Sequence, residues 1–241
     1  MSHVAVNRAA EGGVADGRVA EDRALPLRER KKLRTRRALA DAALRLFAEK
    51  GYDATTIDEL ADEAEVSKST FFRFFPAKEA AAIEAEAELW VTCLSGLADR
   101  TPAAKRTVLA GLHDTLVAAV TSLDSSWDER FLATRRLIAR EPALLAYVQH
   151  YRATVQGEIA RCLAGKLGLD PDDLRLHILA ELAVATWSIA GRHWVRNGGQ
   201  GGRKALIKRF DDTINAIPDS LSLAEGALGP KPQIRTACWS P

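Results

Sequence analysis

The sequence has few cysteines, almost no net charge, no long apolar run and no catalytic signature. Cys93, Cys162 and Cys238 are far apart, odd in number and without a CxxC spacing. Neither a disulfide framework nor a metal site is indicated, and a reducing cytosol suits them best. The 34 basic and 32 acidic residues leave only +2, so overall charge says little about partners and only local clustering can speak. The longest charge-free run in the apolar stretch near residue 185 is Leu182 to Gly191, ten residues, against the roughly 18 a membrane span needs. Arg8, Glu11, Asp16, Arg18 and Glu21 break any secretory h-region, so the expected location is cytoplasmic, with no membrane partner. There is no HExxH, no GxSxG and no glycine fingerprint following a strand, so no enzyme and no cofactor is expected. The Gly198-Gly199-Gln200-Gly201-Gly202 loop lacks both a preceding strand and a following GK[ST], and reads as a connector.

Apolar residues at 47% and charged residues at 27% describe an ordinary globular chain, and 241 residues suffice for one large or two small domains. Sustained period-2 alternation is absent and helical spacing recurs throughout, which predicts an all-α chain of about nine helices. Residues 1–27, with three glycines, scattered charges and no aromatic residue, read as a disordered tail, and the proline-bearing segment 218–241 reads as a second tail. Between them, 28–77 is expected to form one domain and 78–217 a larger helical domain. Its helices are expected near 78–99, 103–123, 127–139, 143–166, 172–196 and 203–217, separated by Pro102, Pro142, Pro171 and the glycine loop.

The one strong charge asymmetry opens the first domain. Arg28, Arg30, Lys31, Lys32, Arg34, Arg36 and Arg37 against Glu29 give a local +6, which is either a solvated helix start or a phosphate-seeking arm. A helix near 30–50 follows, apolar at Leu39, Ala43, Leu46 and Phe47 and stopped by Gly51. Thr56 and Glu59 form a capping-box pattern for a short second helix, and Ser67 caps a short third one, Lys68 to about Phe74. Two short helices joined by a tight turn directly after a basic helix are the pattern of a helix-turn-helix. In that motif the N-terminal turn of the second helix enters the major groove. Lys68, Ser69, Thr70 and Arg73 are then placed to meet bases or flanking phosphates, and Thr56, Ser67 and Lys78 stand at helix starts that suit a phosphate. Each would serve equally in a protein that never meets DNA; their joint placement beside the +6 segment favours DNA. Phe71 and Phe75, four residues apart, are expected to pack inward on Leu46, Phe47 and Leu60.

The residues Leu46-Phe47, Gly51 to Ile57, Leu60-Ala61, Ala64 to Ser67 and Thr70 to Glu79 resemble the N-terminal domain of TetR-type repressors. The likeness covers roughly residues 33–85. It implies a three-helix DNA-binding head on a helical effector-binding and dimerisation bundle, hence a homodimeric repressor of a palindromic operator, released by a small, largely apolar effector. Three departures stand out. Phe72 and Phe74 replace the family's usual phosphate-binding tyrosines, Glu65 replaces the usual turn glycine, and Ser69 replaces another. With Phe72 limited to apolar contact, Arg34, Arg36 and Arg37 are expected to bear more of the electrostatic load.

In 172–196, Leu176, Leu179, Ala183, Trp187, Ala190 and Trp194 form one apolar stripe, with Ile178, Leu182 and Ile189 off it; 203–217 adds Ile207, Phe210, Ile214 and Ile217. From these, Leu179, Ala183, Trp187, Ile207, Phe210 and Ile214 are the candidate dimer contacts. The candidate effector contacts are Trp90, His113, Trp127, Arg135, Tyr147 and Trp187. Arg135, Arg136 and His113 could answer an anion, and the WVRNGG sequence beginning at Trp194 looks like that of subgroups with acyl-CoA-like ligands. The alternative is a helical protein-interaction module that kept the fold without specific DNA binding.

Overall fold

A computed structural model describes residues 26–101 and 106–223. Most of both expected tails, and Cys238, lie outside the described residues. The described residues form eleven helical segments and no strand: α1 Leu27–Lys50, α2 Ile57–Glu63, α3 Lys68–Phe74, α4 Lys78–Ala82, α5 Glu84–Asp99, α6 Val108–Ser122, α7 Trp127–Ile138, α8 Pro142–Leu167, α9 Leu174–Arg196, α10 Gly202–Asn215 and α11 Ile217–Leu221. The all-α reading holds. The count exceeds nine because two expected helices are broken, at Ile83 and at Ala216, and α11 occupies part of what reads from sequence as a C-terminal tail.

The break at Ile83 has a local cause. Ile83 leaves helical geometry at φ −97°, ψ 14°, and a side chain from α7, Thr134, takes the Ala82 carbonyl that the ladder would use, while Trp127 adds a bond to the first turn of α5. Thr134 Oγ1 donates to Ala82 O at 2.9 Å and Trp127 Nε1 to Ala85 O at 2.8 Å, while Glu86 N turns back to Ile83 O at 2.9 Å. A side chain inserted into the hydrogen-bond ladder is a recognised cause of helix kinking. Such an insertion comes from a partner distant in sequence, so periodicity along the chain does not announce it.

Two apolar cores meet across this break. One gathers α1 to α4, with Leu39, Phe47, Leu60, Phe71 and Phe75 buried together, and extends to Leu137 and Ile138 of α7 and Leu144 and Val148 of α8. The other fills α5 to α10 and is centred on aromatic rings: Trp127 stacks on Phe131 at 4.5 Å, and Phe131, Trp187, Trp194 and Phe210 continue the cluster. Helix α9 is, by length and composition alone, apolar enough to cross a membrane, which the count of its charge-free run does not suggest. Half of that window is buried within the fold, as befits a core helix. Cys93 is buried, and burial pushes its thiol up to about 12; neither it nor Cys162 is in a disulfide.

Glu86 is the most deeply buried charge, with no exposure at all. Its Oε1 accepts from Arg152 Nε and Nη2 at 2.9 and 2.7 Å, and its Oε2 from Arg135 Nη1 at 3.3 Å. Arg135 Nη2 also donates to Ser188 O at 3.2 Å, passing beside Gly191, where a Cβ would stand 3.1 Å away. Burial raises the Glu86 pKa, but the charges of Arg152 and Arg135 more than reverse it and hold the carboxyl below its ordinary value. One residue thus joins α5, α7, α8 and, through Arg135, α9. Removing one partner of a buried pair costs about 3–5 kcal/mol, so Glu86→Ala is expected to lose stability on that scale in chemical denaturation. Because the folded pKa lies below the unfolded one, the Glu86 contribution is complete above the ordinary carboxylate range and is lost as pH falls through the folded value. The thermal midpoint of the wild type should therefore fall more steeply on acidification than that of Glu86→Ala.

Candidate nucleic-acid interface

Helix α2 is anchored by a complete capping box: Glu59 N donates to Thr56 Oγ1 at 3.2 Å and Thr56 N to Glu59 Oε2 at 2.9 Å. The hydrogen bonds to Thr56 and an ion pair with Lys50 hold the Glu59 carboxyl down to about 2. The turn into α3 runs through Glu65, at φ 53° the one non-glycine residue with positive φ among the described residues. Its amide donates to Asp62 O at 3.0 Å and that of Val66 to Ala61 O at 2.9 Å, which fixes the turn. The backbone therefore takes the left-handed shape a glycine would favour, with glutamate in its place. Ser67 Oγ then accepts from Thr70 N at 3.2 Å and caps α3.

Phe71 is fully buried, and this sets which face of α3 is turned outward. Ser67, Lys68, Ser69, Phe72 and Arg73 are exposed and Thr70 is half-buried. Phe72, 48% exposed, is a large apolar ring in open solvent beside polar and cationic neighbours. Lys68 Nζ meets Asp58 Oδ2 of α2 at 2.9 Å, both groups more than half exposed, so the pair is worth little and yields easily to a phosphate.

The basic run divides in two. Leu27, Arg28, Glu29, Lys31, Lys32 and Thr35 on the first turns of α1, with Arg73 and Phe74 on α3, line an open cleft of about 890 Å³. Four cations and one carboxylate flank the recognition helix there. Arg34 is exposed nearby. Arg36 points elsewhere: it forks onto Glu84 at the start of α5, with Nη2 to Oε2 at 2.7 Å, donates to Phe74 O at 3.1 Å and lies 4.6 Å over the Phe75 ring. Arg37 pairs with Asp124 beyond the end of α6 at 2.6 Å. Both join the head to the body: Arg37 lies about 180° around α1 from Arg28, whereas Arg36, about 40° from Lys32, meets the body because it stands a turn further along the helix. Lys78 is likewise internal, donating to Tyr52 O at 2.6 Å and Thr55 O at 3.0 Å beneath the Tyr52 ring. Arg28, Lys31 and Lys32, which the sequence names only as part of the basic run, line the cleft, and Arg36 does not.

The expected effector residues are scattered. Trp90, Trp127 and Trp187 are buried. Arg135 is held by Glu86 and Ser188 O, and burial lowers its pKa to about 10. His113 bridges α6 and α10 through Asp211 at 2.6 Å and stacks on Phe210. Tyr147 packs against the head core. The indole N–H groups of Trp187 and Trp194 are buried with no acceptor among the described residues.

The expected dimer contacts divide too. Ala183, Trp187 and Phe210 are consumed by the subunit's own core, while Leu179, Ile207 and Ile214 pack partly buried against it. The uncovered stripe of α9 is the second set: Ile178 at 58% and Ile189 at 37% exposure, with Leu182 half-buried and Ala185 exposed between them.

A capped recognition helix with an outward polar face beside a cationic cleft defines a helix-turn-helix DNA-binding protein. Residues 39–85 match the model described as "Bacterial regulatory proteins, tetR family", and residues 106–217 match the "MftR C-terminal domain". The transcriptional regulator TcmR of Streptomyces glaucescens is 32% identical over 200 residues, covering 81% of this chain and 88% of that protein. The putative mycofactocin biosynthesis regulator MftR of Mycobacterium tuberculosis is 26% identical over 185 residues, covering 76% and 90%. Among solved structures, Thermus thermophilus FadR in complex with lauroyl-CoA aligns over 82% of this chain and 98% of its own, at 23% identity and a TM-score of 0.42. The chain belongs to the TetR family of transcriptional regulators, and is not an enzyme.

The left-handed glutamate supplies a test. Holding a non-glycine residue in αL costs about 1–2 kcal/mol, of which glycine's own chain entropy returns about 0.5–1. Glu65→Gly is expected to raise the thermal midpoint by a few degrees, and to tighten DNA binding several-fold by removing a negative charge near the duplex.

Proposed function

We propose that the protein is a homodimeric repressor that occupies a palindromic operator and is released from it by a small, largely apolar effector. The observation carrying this reading is the exposed face of α3, with Lys68, Ser69, Phe72 and Arg73 outward beside the cationic cleft of Arg28, Lys31 and Lys32. Direct readout belongs to the side chains that enter the groove. The cleft supplies a grip on the phosphate backbone, carries no sequence information, and makes affinity dependent on salt. Phe72, lacking a hydroxyl, serves as an apolar contact for sugar or a thymine methyl. Such a regulator acts on the chromosome, in the cytoplasm.

The Ile178, Leu182, Ala185 and Ile189 stripe supports the dimer, because burying it against its symmetry mate covers the exposed apolar residues of a long helix. Two-fold symmetry then offers two recognition helices to half-sites about 34 Å apart, or a multiple of one turn. An effector that binds the DNA-incompetent shape about 100-fold more tightly, about 2.7 kcal/mol, suffices for release. The apolar interior of α5 to α10, with two indole N–H groups lacking acceptors, favours an apolar molecule with few polar groups.

Gel-shift titration on the protein's own upstream region tests the reading. Specific binding with a steep salt slope is expected; equal, weak binding to all duplexes would instead favour an interaction module. Lys31→Gln with Lys32→Gln should weaken binding uniformly across sequences and reduce the log-log salt slope by about 2, whereas Arg73→Gln should also relax discrimination between operators. Ile178→Asp with Ile189→Asp should convert the dimer to monomer in sedimentation and abolish operator binding while the far-UV circular dichroism stays helical.

A further inference from the structure

At the end of the body away from the head, the C-terminal end of α5, the first turn of α6 and the last turns of α8 enclose a cavity of about 140 Å³. Its floor is apolar: Leu97, Leu112 and Leu163 line it and are themselves buried. Its rim carries three cations, Arg100, Arg106 and Lys166. Asp114 alone answers both guanidinium groups, at 2.6 Å from Arg106 Nη2 and 3.5 Å from Arg100 Nη2. Lys166 Nζ meets only neutral carbonyls, those of Ala98 at 2.7 Å and Arg100 at 2.6 Å. Among the described residues the rim sets three cations against one carboxylate, and α6, a helix of 15 residues, starts at it, with Thr107 and Val108 in the lining.

We propose that this cavity is the effector site and that it takes a small organic carboxylate, with the carboxylate at the Arg100, Arg106 and Lys166 rim and a compact ring or branched chain on the leucine floor. This rests on the reading of the protein as an effector-released repressor and gives that effector a place and a chemistry. The volume sets the size: the partly open space of about 140 Å³ suits a single ring, since an apolar cavity of about 150 Å³ holds benzene. The charge sets the sign, because an incoming carboxylate relieves three cations that share one counterion, whereas a neutral molecule of the same shape gains only the floor.

The location explains how occupancy reaches DNA. Helix α5 runs from the cavity to Glu84, which holds Arg36 of α1, a length of about 24 Å for its 16 residues. Helix α6 runs from the cavity to the turn at Asp124, which holds Arg37. Two of the three helices that wall the cavity therefore end at an ion pair gripping the head, and spreading them at one end tilts the grip at the other.

Calorimetric titration of the full-length protein with benzoate, and with benzyl alcohol as its neutral counterpart, tests the proposal, with operator release followed by fluorescence anisotropy. Benzoate is expected to bind at or below about 1 mM, at least tenfold more tightly than benzyl alcohol, and to release the operator. Arg106→Gln with Lys166→Gln should cost benzoate at least tenfold, and Leu112→Phe, which fills the floor, should abolish its binding while each variant still binds the operator. Equal affinity for the two probes, benzoate binding unchanged in both variants, binding that leaves the operator occupied, or release by octanoyl-CoA but not by benzoate would each overturn it. Should a variant fail to fold, the comparison of the two probes on the wild type decides alone. Absence of specific operator binding by the ligand-free wild type would instead sink the repressor reading, so the two failures are told apart.

Discussion

Three glutamates at the start of one helix hold the molecule together. Glu84, Glu86 and Glu88 occupy the first turn and a half of α5, and each is taken by arginine from a different direction. Arg36 of the head holds Glu84, Arg135 and Arg152 of the body hold Glu86, and Arg130 of α7 holds Glu88 at 2.7 Å. Alternate positions on a helix lie about 200° apart, so Glu86 points into the body while Glu84 and Glu88 share the opposite side. The helix thus enters the body with its rotation about its own axis fixed. Sliding it by one residue would put a buried carboxylate against alanine and strand two buried guanidinium groups, a change of several kcal/mol. The Arg36 grip on the head works through this register.

The break at Ile83 makes the constraint useful. An unbroken helix from Lys78 to Asp99 would weld α3 to the body through one stiff rod. With α4 and α5 separate, α4 packs with the head core and α5 with the body core, and the two cores meet over Leu137, Ile138, Leu144 and Val148. That contact is apolar and non-directional. The directional part of the joint is the pair of ion pairs from adjacent arginines of α1, Arg36 to Glu84 and Arg37 to Asp124, the latter shared with Arg130 at 3.0 Å. Burial raises the Glu84 pKa and Arg36 opposes the shift, so the joint is stable only while its arginine stays in place. A hinge built this way resists translation yet permits a small rotation about the apolar contact.

Much of this was legible in the sequence, and the limits follow one rule. Local patterns were readable: the Thr56 box, the Ser67 cap, the inward Phe71 and Phe75, and Glu65 in a turn that asks for glycine all depend on residues within a few positions of one another. The helix order of the body was readable for the same reason, through proline and glycine punctuation. What escaped was set by partners far along the chain. Nothing near Glu86 signals that Arg135 and Arg152, 49 and 66 residues away, will take it into the core. Gly191 in mid-helix was the available clue, since a bare backbone there lets the Arg135 guanidinium pass. The apolar stripes of α9 were both visible, but periodicity gives the angle between two faces and not which is inward. The bulkier stripe, with Trp187 and Trp194, packed inside, and the slighter one through Ile178 and Ile189 was left out.

The basic segment carries the same lesson into function. Seven cations in ten residues look like a single electrostatic feature, yet their positions along and around α1 send them to different partners. Arg28, Lys31 and Lys32 face the cleft beside Arg73, while Arg36 and Arg37 are bound to the body. The first group faces solvent and is available to phosphate. Rotation of the head depends on the second, because their carboxylates are the ends of the two helices that reach across the body. A single helix therefore carries the cationic cleft at its start and grips the body about two turns later. Any tilt imposed on Arg36 and Arg37 is delivered to the cationic cleft through a rigid, continuously hydrogen-bonded α1. On the proposed function the head would then leave the operator without unfolding, by misaligning a cleft and a recognition helix whose own contacts stay intact.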